Sequence, residues 1–177
     1  QLSGYGPAVL ASAAPLFEEI ARENQEKNAK LETVLKLVPA ADIRRGLEVF
    51  RNTKAACITC HQMAYLGGRV GPDLSRIGQI RSERDLLESI LFPSASFVRS
   101  YESTNIVTTD GRILNGVIRD ETSTHVLLQL DAQKQERIPI EEIDERAAGA
   151  VSIMPKGLDK QLTAQQLADL VKYLKSR

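Results

Sequence analysis

The stretch Cys57-Ile58-Thr59-Cys60-His61 decides how the rest of the chain is read. Its spacing, C-x-x-C-H, is the attachment signature of a c-type haem. Two thiols must reach the two vinyl groups on one porphyrin edge, so they sit a fixed short distance apart. The next residue then lies over the iron, where an imidazole nitrogen can bind axially. Iron held by His and a second ligand changes valence with little movement, as an electron carrier requires.

Other chemistries of paired cysteines fit less well. Zinc would want two further Cys or His ligands, but the chain has no other Cys and, besides His61, only His125. A redox dithiol would normally open a helix inside a βαβ unit, and none is visible. A disulfide between residues this close would close a very small, strained loop. Both cysteines are thus spent in one motif. Thioether attachment is made outside the cytoplasm in bacteria, so the motif implies a periplasmic or otherwise exported protein. No signal peptide is visible, and the chain starts at Gln1 without Met, so its N-terminus reads as processed or cut from something longer. No apolar run approaches the length of a membrane span, and direct membrane insertion is not expected.

At 177 residues the chain can bury one good core or two small ones. Lys+Arg and Asp+Glu both number 23, so no global charge argues for nucleic acid as a partner. The balance hides an asymmetry. Residues 42–100 carry nine basic and six acidic groups, and 151–177 carry five and two, whereas 101–150 carry five and ten. The acidic middle reads as a separate body.

Upstream of the motif, residues 1–13 are small and loop-like, and Pro15 is placed to open a helix at its first turn. Phe17, Ile20, Ala21, Leu31, Val34, Leu35 and Val38 recur at helical spacing, which predicts one long amphipathic helix, or two, ending before Pro39. Its middle, Arg22 to Lys30, is polar all round. Residues 1–41 are read as a helical extension or linker. Asp42 is an N-cap candidate for a short helix from Ile43 to Arg51. There Gly46 allows another helix to cross closely and pack on Phe50.

Downstream, Ser82 and Asp85 cap a helix whose Leu86, Leu87, Ile90 and Leu91 make one apolar face. From Phe97 the pattern changes to Ile, Val, Leu and Thr. Tyr101–Thr108, Arg112–Arg119, His125–Leu130 and Glu136–Ile140 read as at least four antiparallel strands. Asp110-Gly111 and Asp131–Lys134 make the turns between them. Ile140 to Glu145 leads out through an acidic turn or short helix. His125 reads as an exposed or hydrogen-bonded strand residue rather than an iron ligand. Thr163 and Gln166 then form a capping box for a last helix, with Leu167, Leu170, Val171 and Leu174 inward and Tyr173 able to lie against the Gly46–Phe50 helix.

An iron with one imidazole needs a sixth ligand, and only two methionines exist. Met63 lies two residues past His61 and cannot reach round to the opposite haem face. Met154 can, because a long excursion of chain separates it from His61. A thioether there favours Fe(II) and raises the potential.

A helix with Gly46 and Phe50, then C-x-x-C-H, then Gly71-Pro72-Asp73-Leu74, resembles a class I cytochrome c. The Met154-Pro155 pair and the closing D-L-V-x-Y-L helix match the same family. The resemblance implies that the Pro72 carbonyl accepts a hydrogen bond from the free ring nitrogen of His61 and orients it. With the strand-rich insertion and Ser152-x-Met154-Pro155-x-Gly157-Leu158, residues 42–176 resemble the haem-binding domain family of planctomycetes and verrucomicrobia. That family commonly closes long chains carrying dehydrogenase or helical-repeat domains. The expected fold is α+β: a mainly helical class I cytochrome c core from 42–100 and 151–177, a small antiparallel sheet or partial barrel inserted at 101–150, and an N-terminal amphipathic helix.

The expected function is one-electron transfer, not catalysis. One covalent haem c would be held by Cys57 and Cys60, with His61 and Met154 on its iron and Pro72 behind His61. The expected partner is a redox protein, a dehydrogenase or oxidase, on the same longer chain or separate. Arg69, Arg76 and Arg81 are near enough in sequence to serve the propionates, though each reads equally as a solvated charge. Two alternatives stand: a haem sensor or small-ligand-binding enzyme with a labile sixth site, and an interaction module built on the acidic strands.

Overall fold

The computed structural model describes residues 6–52, 54–98 and 100–177. Its elements are helices α1 (Pro7–Leu37), α2 (Ile43–Arg51), α3 (Cys57–Cys60), α4 (Ile77–Ile80), α5 (Glu83–Leu91) and α6 (Ala164–Lys175). Between α5 and α6 lie strands β1 (Thr104–Thr108), β2 (Ile113–Glu121), β3 (His125–Gln129), β4 (Gln135–Pro139) and β5 (Ile143–Ala148). The protein is therefore α+β, with the strands gathered in one antiparallel sheet of order β4-β3-β2-β1-β5. Among the described residues, no helix is long and apolar enough to cross a membrane.

Helix α1 starts earlier than expected. The loop predicted over residues 1–13 gives way at Pro7 to helix, and Pro15 lies inside it rather than opening it. Residues 1–5 lie outside the described residues. Proline at the first helical position loses no hydrogen bond, and Ala8, Ala11, Ala13 and Ala14 are strong helix formers, so the run needs no later start. The polar middle does not break it; α1 is one helix to Leu37, and a 3-10 turn over Val38–Ala40 takes in Pro39.

The helical core forms where α6 packs against α1, α2, α4 and α5. Leu31, Val34, Phe50, Leu87, Leu91 and Leu167 are among its fully buried side chains. Helices α2 and α6 cross at Gly46, where an added Cβ would lie 2.0 Å from the Asp169 carbonyl oxygen; only glycine permits that approach. Beside the crossing the Phe50 and Tyr173 rings tilt together at 5.7 Å. Below it Asp169, 1% exposed, accepts from the Asp42 amide at 2.8 Å, from Arg45 Nε at 2.7 Å and Nη2 at 3.0 Å, and from Gln165 at 2.9 Å. The expected caps are present: Asp42 accepts from the Arg45 amide, and Ser82/Asp85 and Thr163/Gln166 are reciprocal capping boxes.

The sheet has its own core of Ile106, Val126, Leu128 and Ile138. Inward residues alternate along β1 and β3, as the period of a strand dictates. The turns fall at Asp110-Gly111, with Gly111 at φ 83°, and at Asp131–Lys134, where Asp131 accepts from the Gln133 and Lys134 amides. The segment expected to lead out as a turn or short helix is only partly that. After a 3-10 turn over Ile140–Glu142 it becomes β5, which pairs with β1. The topology forces curvature. Strands β4 and β5 are four strand spacings apart, about 19 Å in a flat sheet. The chain from Pro139 to Ile143 reaches at most about 14 Å, so the sheet curls toward a partial barrel.

Candidate functional site

Cys57 and Cys60 occupy one turn of helix, α3, which opens at Ala56 in the left-handed region (φ 48°). Asn52 sets this up by accepting from the Lys54 and Ala55 amides. The glycine-rich loop after His61 then wraps back under the turn. The Gly68 amide donates to the Ile58 carbonyl and the Gly71 amide to the Cys60 carbonyl, both at 2.8 Å. Carbonyls that a single helical turn leaves open are thereby satisfied.

His61 is oriented from the same loop. Its Nδ1 lies 2.9 Å from the Pro72 carbonyl oxygen. A carbonyl only accepts, so Nδ1 carries the proton, and Nε2 keeps the lone pair that a metal would use. Gly71 lies against the ring face: a Cβ there would come within 2.5 Å of His61 Cε1. Burial pushes the His61 pKa below its ordinary value, with the Pro72 bond opposing, so the ring is neutral at pH 7.

The two thiols are neutral as well. Burial pushes Cys57 up to about 11, and burial, aided by the charge of Asp131, raises Cys60. A redox dithiol works through an accessible, low-pKa thiolate, the opposite tuning. Among the described residues no group of three or more His, Cys, Asp or Glu is placed to hold a metal ion. One imidazole and two protonated thiols are a set that fits covalent attachment of a haem.

The two methionines differ. Met63 is buried in the helical core, and its turn is closed by paired hydrogen bonds with Leu66. Met154 is half-buried and packs against the same core as Cys57, Ile58 and Leu74. Its amide donates to Ser152 Oγ at 3.1 Å, and the Ser152 amide donates to Ser94 Oγ at 3.0 Å. Cys57 and Met154 are thus related through a shared core, whereas His61 and Pro72 touch directly.

Arg69, Arg76 and Arg81 are exposed, and among the described residues none pairs with a carboxylate. Arg69 donates to Gln62 at 3.0 Å, and its carbonyl accepts from Arg119 of β2 at 2.8 Å, which ties the loop to the sheet. A polar cleft of about 490 Å3 lies there, lined by Arg69, Arg119, Gln129, Gln133 and Gln135. His125 is a hydrogen-bonded strand residue, with Thr122 Oγ1 at 2.8 Å and Arg137 Nη2 at 3.1 Å from Nδ1. Arg119 and Lys30, which holds the segment after Met154, drew no attention in the sequence, because their partners lie far along the chain.

No family model matches the chain, and no curated protein matches it in sequence.

Proposed function

We propose that this chain is a monohaem c-type cytochrome of the class I kind that carries single electrons. The observation that carries the reading is the His61–Pro72 hydrogen bond, which leaves Nε2 unprotonated beside two neutral cysteines. A bound haem iron supplies one-electron chemistry at constant coordination. The residues of the chain do the rest. Cys57 and Cys60 would hold the group covalently through their sulfurs and so prevent its loss or rotation. His61 presents Nε2, and Pro72 holds the ring and strengthens it as a donor. Met154 would offer a thioether as the second ligand.

The reading includes an exported location and transient docking with a redox partner protein. The test is the optical spectrum of the matured protein. The ferric form should show the far-red charge-transfer band of thioether-ligated haem, and Met154→Ala should abolish it. A colourless matured protein, or a band that survives Met154→Ala, overturns the assignment. Fast stoichiometric CO binding by the ferrous protein would point instead to the sensor alternative.

A further inference from the structure

The segment that follows Met154 is fastened to α1 chiefly by Lys30. Lys30 Nζ donates to the backbone carbonyl of Asp159 and also lies 3.2 Å from its Oδ2. Lys30 is adjacent to Leu31, which is 1% exposed, so the core fixes where the ammonium stands. Asp159 itself is 2% exposed, and its Oδ1 is buried without any hydrogen-bond partner among the described residues. A buried carboxylate held by a single cation, with one oxygen unsatisfied, is a costly arrangement. A weaker exposed pair, Glu23 with Lys160 at 3.7 Å, accompanies it.

The opposite end of the loop is fixed by the Ser94–Ser152 bond. Between these ties, Gly157 at φ 81° starts the 3-10 turn Leu158–Gln161 that delivers Asp159 to Lys30. Met154 therefore sits on a span pinned by Ser94 before it and by α1 behind it.

We propose that Lys30 is a positioning residue for the sixth haem ligand, so that the N-terminal helix governs whether Met154 stays on the iron. This rests on the reading of Met154 as that ligand. Pinned, the loop holds the thioether in place. Released, it opens more often, and the ferrous iron becomes reachable by small ligands.

The test uses the matured chain with Lys30→Met, which keeps the length and removes the charge, and Lys30→Arg, which restores a cation. Lys30→Met should weaken the far-red ferric band. It should also raise the CO association rate of the ferrous protein roughly tenfold, the response to losing about 1.4 kcal/mol of loop closure. Lys30→Arg should return both toward the parent values. Asp159→Asn, which removes the charge but keeps the backbone bond, should shift both in the same direction as Lys30→Met but by less, and it covers the case in which Lys30→Met fails to fold. A folded variant that melts earlier while band and CO rate stay unchanged makes Lys30 merely structural and overturns the proposal. If the parent protein itself lacks the band, the Met154 reading fails and this inference falls with it.

Discussion

Burial withdraws water from the Cys57 sulfur and pushes its thiol up to about 11. In the haem-free protein carrying Cys60→Ser, iodoacetamide alkylation of Cys57 should therefore rise through about pH 11. A rate profile already level at pH 9 would show that the sulfur is not desolvated as described. The His61–Pro72 contact was legible in the sequence because its pattern is local, with Pro72 eleven positions after His61. Gly71 was legible only as part of a turn. That it bears on the imidazole face is a matter of three-dimensional packing that spacing does not encode.

Elements announced by their caps were the easiest to read. Helices α2, α5 and α6 begin at side chains that bond an amide three residues on, so a short window contains the whole signal. Strand β5 gave no such signal. Of Ile143–Ala148 only Ile143 is half-buried and the rest are exposed, so no alternation marks it. Its Glu, Arg and Ala favour helix in isolation, and only pairing with β1 makes it a strand. The ties between distant elements were equally invisible, Arg45 to Asp169 above all. Burial works to raise the Asp169 pKa, but Arg45, the Asp42 amide and Gln165 overcome it, and the net value falls below the ordinary one.

A carboxylate depressed on folding stabilises above its unfolded pKa, and this is lost as pH falls through the folded value. Asp169→Ala should therefore cost about 2–3 kcal/mol at pH 7 in urea denaturation. The difference from the parent protein should shrink as the pH is taken below about 4. A penalty that is constant from pH 7 to pH 3 would assign the effect to packing instead.

At the scale of the whole molecule, two hydrophobic cores share no residue, one helical and one within the curled sheet. The chain enters and leaves the sheet at one place: the Gly149 amide donates to the Ser103 carbonyl at 2.8 Å. Replacing residues 104–148 by a short Gly-Ser link should leave the helical body folded. Loss of the Arg119–Arg69 bond should cost only about 1 kcal/mol. Thermal melting followed by far-UV circular dichroism checks this, and loss of a cooperative transition would show that the sheet supports the main core.

Helix α1 runs for 31 residues, about 46 Å, yet its only buried residues are Leu31 and Val34. A rod gripped near one end is a lever. Any sideways load along Val9, Phe17 and Ile20, which are 44–47% exposed, becomes torque about the gripped turn. Lys30 stands at that fulcrum, so a tilt imposed tens of ångströms away is felt, geared down, where Lys30 meets Asp159.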